Sequence, residues 1–100
     1  MNIITLCGST NFEKMFIKIK EKLELEGNIV LSLDFFSGSK KVLRDSDTIY
    51  KLEQLHRVKI DLSDEIFVIN VKGYIGESTK KEIDYAKRKG KKISYLVNNI

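Results

Sequence analysis

The chain has 100 residues, with 18 Lys+Arg against 14 Asp+Glu for a net charge of +4, one cysteine and no proline. That length predicts one domain over 1–100, and no apolar run approaches the ~20 residues of a membrane-spanning helix. With Cys7 alone, neither a disulfide framework nor a cysteine metal site is expected within one chain, and with no leader-type segment at the N-terminus the expectation is a cytoplasmic protein.

In chain order, Ile3-Ile4-Thr5-Leu6-Cys7 is a short β-branched apolar run ending at Gly8-Ser9, the pattern of a buried strand. Thr10 and Glu13 have capping-box spacing, and Phe12, Met15, Phe16, Ile19 and Leu23 follow as one stripe of an amphipathic helix stopped at Gly27-Asn28. Ile29-Val30-Leu31-Ser32-Leu33 predicts a second strand. Residues 34–47 break every pattern and predict a polar functional or mobile loop. A second helix runs from 48 to about 62, with Ile49, Leu52, His56 and Ile60 on one face. Ile66-Phe67-Val68-Ile69 is the third strand and ends at Asn70. The loop 71–78 contains Gly73 and Gly76, and Thr79 with Glu82 repeats the capping-box spacing ahead of a third helix stopped by Gly90. A last strand covers 93–97.

Apolar strands alternating with helices predict an α/β fold: a Rossmann-like or flavodoxin-like doubly wound parallel sheet of four strands, order 2-1-3-4, with three helices. Ligands of such sheets bind beyond the carboxyl ends of the strands, where the winding reverses. That rule gathers Gly8-Ser9-Thr10, Asn70 and residues 73–78 around one crevice. The Gly-Ser-Thr turn offers amides to a phosphate or serves as an ordinary turn and cap. Two glycines permit close ligand approach, and Tyr74 offers a face for a flat base. No dinucleotide fingerprint or P-loop is present. His56, the one histidine, reads by itself as a core residue with one hydrogen bond, Cys7 as a small buried residue, and Glu82 as a capping-box member. Without a second His or Cys, no metal or other cofactor is expected. Residues 80–100 hold seven Lys/Arg and two acids; a solvated helix face is favoured over a nucleic-acid surface, because no aromatics interleave them.

Leu6-Cys7-Gly8-Ser9-Thr10, the strand start Asp64-Glu65-Ile66-Phe67-Val68, and Gly76…Glu82-Ile83-Asp84-Tyr85-Ala86…Gly90-Lys91 resemble the nucleoside 2-deoxyribosyltransferase superfamily, which includes deoxynucleoside 5′-monophosphate N-glycosidases. The resemblance covers nearly the whole chain, as a minimal version with four strands rather than five. It implies that Glu82 attacks the sugar C1′ to form a glycosyl-enzyme intermediate, which passes to water or to another base. Gly8, Ser9 and Thr10 would hold a sugar phosphate, with Asn70, Gly73, Tyr74, Gly76 and Ser78 around base and sugar. The family's second-helix aspartate falls eight residues before Asp64, at His56, which is expected to take the acid/base role. Gly76 stands where the family has a polar residue six before the nucleophile, and Leu6-Cys7 where some members have an aromatic. The expected partner is a nucleoside or nucleotide, with a homodimer or larger homo-oligomer completing the pocket. The alternative is a non-catalytic nucleotide-binding module on the same fold.

Overall fold

The computed structural model describes residues 1–35 and 45–98. Its elements are β1 (Ile3–Gly8), α1 (Glu13–Leu25), β2 (Ile29–Leu31), α2 (Ser46–Leu62), β3 (Glu65–Ile69), α3 (Glu77–Arg88) and β4 (Lys92–Tyr95), with short 3-10 turns at Thr10–Phe12 and Val71–Gly73. The four strands form one sheet in the order β2-β1-β3-β4, and every pairing is parallel. Most of the loop expected over 34–47 lies outside the described residues. Among the described residues no helix is long and apolar enough to cross a membrane.

Side-chain alternation along the strands builds two separate cores. Ile4 and Leu6 of β1 join Phe16, Ile19 and Leu23 of α1 on one face of the sheet. Cys7 joins Ile60 of α2, Ile66 and Val68 of β3, and Ile83 and Ala86 of α3 on the other. The chain therefore winds to opposite faces after β1 and β3, which opens a crevice between their carboxyl ends. Phe16, Leu6, Ile60 and Ile66 are fully buried, each contributing roughly 1.5–3 kcal/mol of transfer free energy.

Polar groups fasten the opposite end of the sheet. Asp64 accepts a hydrogen bond from the Ile3 amide at 2.8 Å, while Glu65 accepts from Asn2 at 2.6 Å and from the Ser94 hydroxyl at 3.2 Å. Buried Thr5 bonds to the Lys59 carbonyl at 3.0 Å and to the Ser63 hydroxyl, tying β1 to the end of α2. These groups keep the carboxylates of Asp64 and Glu65 out of the crevice.

Helix starts differ from expectation in three places. Asp45 caps α2 by accepting from the Thr48 amide at 2.8 Å, so the helix begins at Ser46, inside the segment read as loop. Before α1 a 3-10 turn over Thr10–Phe12 intervenes; Ser9 caps that turn, its hydroxyl accepting from the Asn11 amide at 3.1 Å, and the helix itself starts at Glu13 after an uncapped Phe12. At α3 the cap position is Gly76 and the first residue is Glu77. Thr79 and Glu82 thus lie inside the helix rather than forming a capping box. β4 is also shorter than 93–97.

Candidate active site

The crevice holds a cavity of about 400 Å³, within the roughly 300–1,000 Å³ usual for small-molecule sites. One wall is the Gly8-Ser9-Thr10 turn. The others come from α2 (Ile49, Leu52, Glu53 and His56), from Tyr74, and from the first two turns of α3 (Gly76, Glu77, Ser78, Thr79 and Glu82). Eight residues expected at the site line it: Gly8, Ser9, Thr10, His56, Tyr74, Gly76, Ser78 and Glu82.

Gly8 pairs with Ile69 at the carboxyl ends of β1 and β3. A Cβ there would sit 2.8 Å from the Ile69 carbonyl oxygen and 3.2 Å from the Phe16 ring, at φ +155°. No other residue fits without moving the backbone of β3. At the head of α3, Gly76 has no side chain to cap the first amides, so those donors front the cavity at the positive end of the helix dipole. Tyr74 is 55% exposed on the rim. Its ring meets Phe12 edge-on at 6.0 Å between centroids, and its hydroxyl lies 3.1 Å from where a Gly76 Cβ would stand. The ring is braced but keeps a free face.

At the floor, one side chain from each of three elements converges. Cys7 from β1, His56 from α2 and Glu82 from α3 have their donor atoms within 4.8 Å of one another. His56 Nε2 lies 3.4 Å from Cys7 Sγ and 3.5 Å from Glu82 Oε2. The starting residue of α3 explains how Glu82 gets there: with the cap at Gly76, Glu82 falls in the second turn on the face that carries buried Thr79, Ile83 and Ala86.

Burial governs the electrostatics. It pushes Glu82 up to about 7, with Glu53 adding to the rise and Cys7 and Arg57 opposing it. It pulls His56 down to about 4, assisted by nearby Lys59, so the imidazole is neutral at physiological pH. The Cys7 thiol is raised by burial and by the Glu82 carboxylate, which works against the thiolate–imidazolium pair of a cysteine nucleophile. A neutral imidazole does not fit the proton-donor role expected of His56. The dissociable proton near neutral pH belongs to the carboxyl.

Two expected residues are not in the lining. Asn70 is buried and holds the segment after β4, donating to the Val97 carbonyl at 2.8 Å and accepting from the Val97 amide at 2.9 Å. Gly73 belongs to the 3-10 turn behind Tyr74 and donates to the Asn70 carbonyl at 2.8 Å. Conversely, Glu53 lines the cavity one turn before His56, a position that the i, i+3 spacing on α2 makes readable once His56 is placed. Cys7 was readable as well, since alternation from Leu6 turns it to the face of α2 and α3.

The C-terminal cations lie on the outside of α3 and the turn beyond. Lys80 approaches Glu77 at 3.4 Å, Arg88 approaches Asp84 at 3.7 Å, and Lys91 donates to the Asp61 carbonyl at 3.1 Å. Lys89 stands 5.5 Å over the Tyr85 ring. No family model matches the chain, and neither does any curated protein.

Proposed function

We propose that the crevice binds a nucleoside or nucleoside 5′-monophosphate and cleaves or transfers its N-glycosidic bond, with Glu82 as nucleophile. The observation that carries this reading is the Glu82 carboxyl itself, held at the cavity floor opposite the Gly8-Ser9-Thr10 turn and poised to ionise at about 7. An ionised Glu82 oxygen attacks C1′ as the C1′–N bond to the base breaks. The bonding pair leaves with the base, which takes up a proton. Water, or the nitrogen of a second base, then attacks C1′ and restores the carboxylate. With His56 neutral, the base takes its proton from solvent; Glu53 and Glu77 also line the cavity beside Glu82. His56 Nε2 stands 3.5 Å from Glu82 Oε2 and faces the carboxyl. Tyr74 offers its free face to the base, and Ser9, Ser78 and the first amides of α3 suit the sugar hydroxyls or a phosphate.

A homodimer belongs to the same proposal. Leu55, Val58 and Leu62 of α2 are 57%, 53% and 63% exposed and share one stripe by their spacing of three and four. A second copy would cover that stripe beside the crevice.

The test is base release by chelator-treated protein from ribo- and deoxyribonucleosides and their 5′-monophosphates, with and without an acceptor base, followed by chromatography. Release that disappears in Glu82→Gln supports the reading, and full release by that variant overturns it. Replacement of a carboxylate by neutral His56 favours a second reading, a nucleotide-binding module without catalysis. Saturable nucleotide binding with no release would select it.

A further inference from the structure

We propose that Cys7, His56 and Glu82 form a mononuclear Zn²⁺ site at the floor of the crevice, with a fourth position open to the cavity. A tetrahedral zinc ion bound at about 2.3 Å to sulfur, and at about 2.0–2.2 Å to nitrogen and oxygen, sets its ligand atoms roughly 3.4–3.6 Å apart. The two separations at this site are 3.4 Å for Sγ to Nε2 and 3.5 Å for Nε2 to Oε2, and all three donor atoms fall within 4.8 Å. Two of the three donor separations thus match those of a tetrahedral site, and the third lies within 4.8 Å.

The donor set narrows the metal. One sulfur, one imidazole nitrogen and one carboxylate oxygen suit zinc and its cobalt surrogate, whereas calcium and magnesium want oxygen throughout. The scaffold is rigid, because each ligand comes from a different regular element. Cys7 is fully buried beneath the floor, while His56 and Glu82 line the cavity, so an ion enters from the cavity and is closed from below by the thiolate. His56 turns its polar contacts to this point: Nε2 faces both partners, and Nδ1 makes no hydrogen bond. The missing partner on Nδ1 leaves the imidazole less firmly oriented than in a fully supported site, so binding should be reversible by chelators. Seating the ion releases the Cys7 proton, and the Glu82 proton where one is present, so affinity rises with pH.

Binding does not rest on the glycosidase reading. Glu82 cannot ligate zinc and attack C1′ at once, so metal occupancy and base release exclude each other, and each is measured without the other.

The experiment is a Co²⁺ titration of chelator-stripped full-length protein, without nucleotide, followed by optical spectroscopy and by competition with Zn²⁺. Cys7 is the one cysteine of the chain, so a thiolate-to-cobalt charge-transfer band reports this residue alone. The expected result is that band together with strong visible absorption of four-coordinate cobalt. Both saturate at one equivalent per chain, do not depend on protein concentration, and are abolished by Zn²⁺. Cys7→Ser removes the charge-transfer band, and Glu82→Gln weakens Zn²⁺ on the order of tenfold or more. The proposal is overturned if the unmodified protein gives no charge-transfer band, if the band saturates at half an equivalent, or if Glu82→Gln binds Zn²⁺ as tightly as the parent. The spectrum of the unmodified protein decides even if Cys7→Ser does not fold.

Discussion

His56 of α2 and Glu82 of α3 face each other with Nε2 3.5 Å from Oε2, and burial moves their ionisation in opposite senses, to about 4 and about 7. The contact would be an ion pair only if the imidazole were charged and the carboxyl ionised together. Over the interval between those two values the pair is instead neutral, a carboxylic acid beside an imidazole. The floor of the crevice thus stores one proton, on the carboxyl side.

That inversion predicts how stability responds to pH. His56 ionises at a lower pH in the folded chain than its ordinary 6.5, so its contribution is present above 6.5 and lost as pH falls toward 4. Glu82 ionises higher than its ordinary 4.5, so its contribution is complete below 4.5 and lost as pH rises through 7. Between 4.5 and 6.5 the two dependences oppose and the parent protein should show a nearly flat profile. Glu82→Gln removes one of them: its stability should fall on acidification through this interval, and exceed the parent's at pH 8 by on the order of 3 kcal/mol. Urea unfolding at several pH values, with chelator present, checks both. A variant whose profile parallels the parent's would show that the two side chains are not buried as described.

The sheet was legible because β1 and β3 are short β-branched runs ended by Gly8 and Asn70, and such strands admit few topologies once helices separate them. Their order followed. Helix starts were less legible, since a capping box is a spacing of residue types and both candidates were outcompeted. Ser9 and Gly76 sit nearer the strand ends than the residues whose spacing marks a capping box. The consequence for Glu82 is large: a residue that reads as a cap by spacing becomes a half-buried side chain of the second turn facing the cavity. Asn70 went the other way. Its place at the end of β3 matched a ligand-binding position, but its amide is consumed by both backbone groups of Val97. A pairing 27 residues apart leaves no local mark in the sequence.

Lys72 adopts φ 54° and ψ 26° in the turn that carries Tyr74. This left-handed conformation is unfavourable for a side chain with a Cβ by about 1 kcal/mol. Lys72→Gly should relieve it and raise stability by up to about 1 kcal/mol, offset in part by the freer unfolded chain. Thermal unfolding should show a higher midpoint by a few degrees. The opposite outcome is expected at Gly8, where Gly8→Ala forces a methyl group to 2.8 Å from the Ile69 carbonyl. Overpacking of this kind costs roughly 1–3 kcal/mol. A Gly8→Ala protein as stable as the parent would mean that β1 and β3 are not so close at their ends.

The exposed stripe on α2 predicts self-association. If a second copy covers Leu55, Val58 and Leu62, then Val58→Glu places a charge in the middle of the contact and should shift the protein to monomer. Burying a lone carboxylate in an apolar interface is strongly unfavourable, so an increase in dissociation constant of at least about a hundredfold is expected. Sedimentation equilibrium of parent and variant decides it. A parent that stays monomeric at every accessible concentration removes the dimer from the proposal.

The proposed chemistry also fixes the shape of the pH–rate profile. Attack on C1′ requires ionised Glu82, so base release by metal-free protein should rise tenfold per pH unit below 7 and level off above it. The dependence belongs to Glu82, because His56 changes charge only near 4. Glu53 enters differently. It lines the cavity and raises Glu82 through its charge, so Glu53→Gln should shift the ascending limb to lower pH. A Glu53→Gln limb that does not move would show that Glu53 does not act on Glu82 through its charge, and a parent limb centred far below 7 would show that Glu82 is not the group whose ionisation limits the rate.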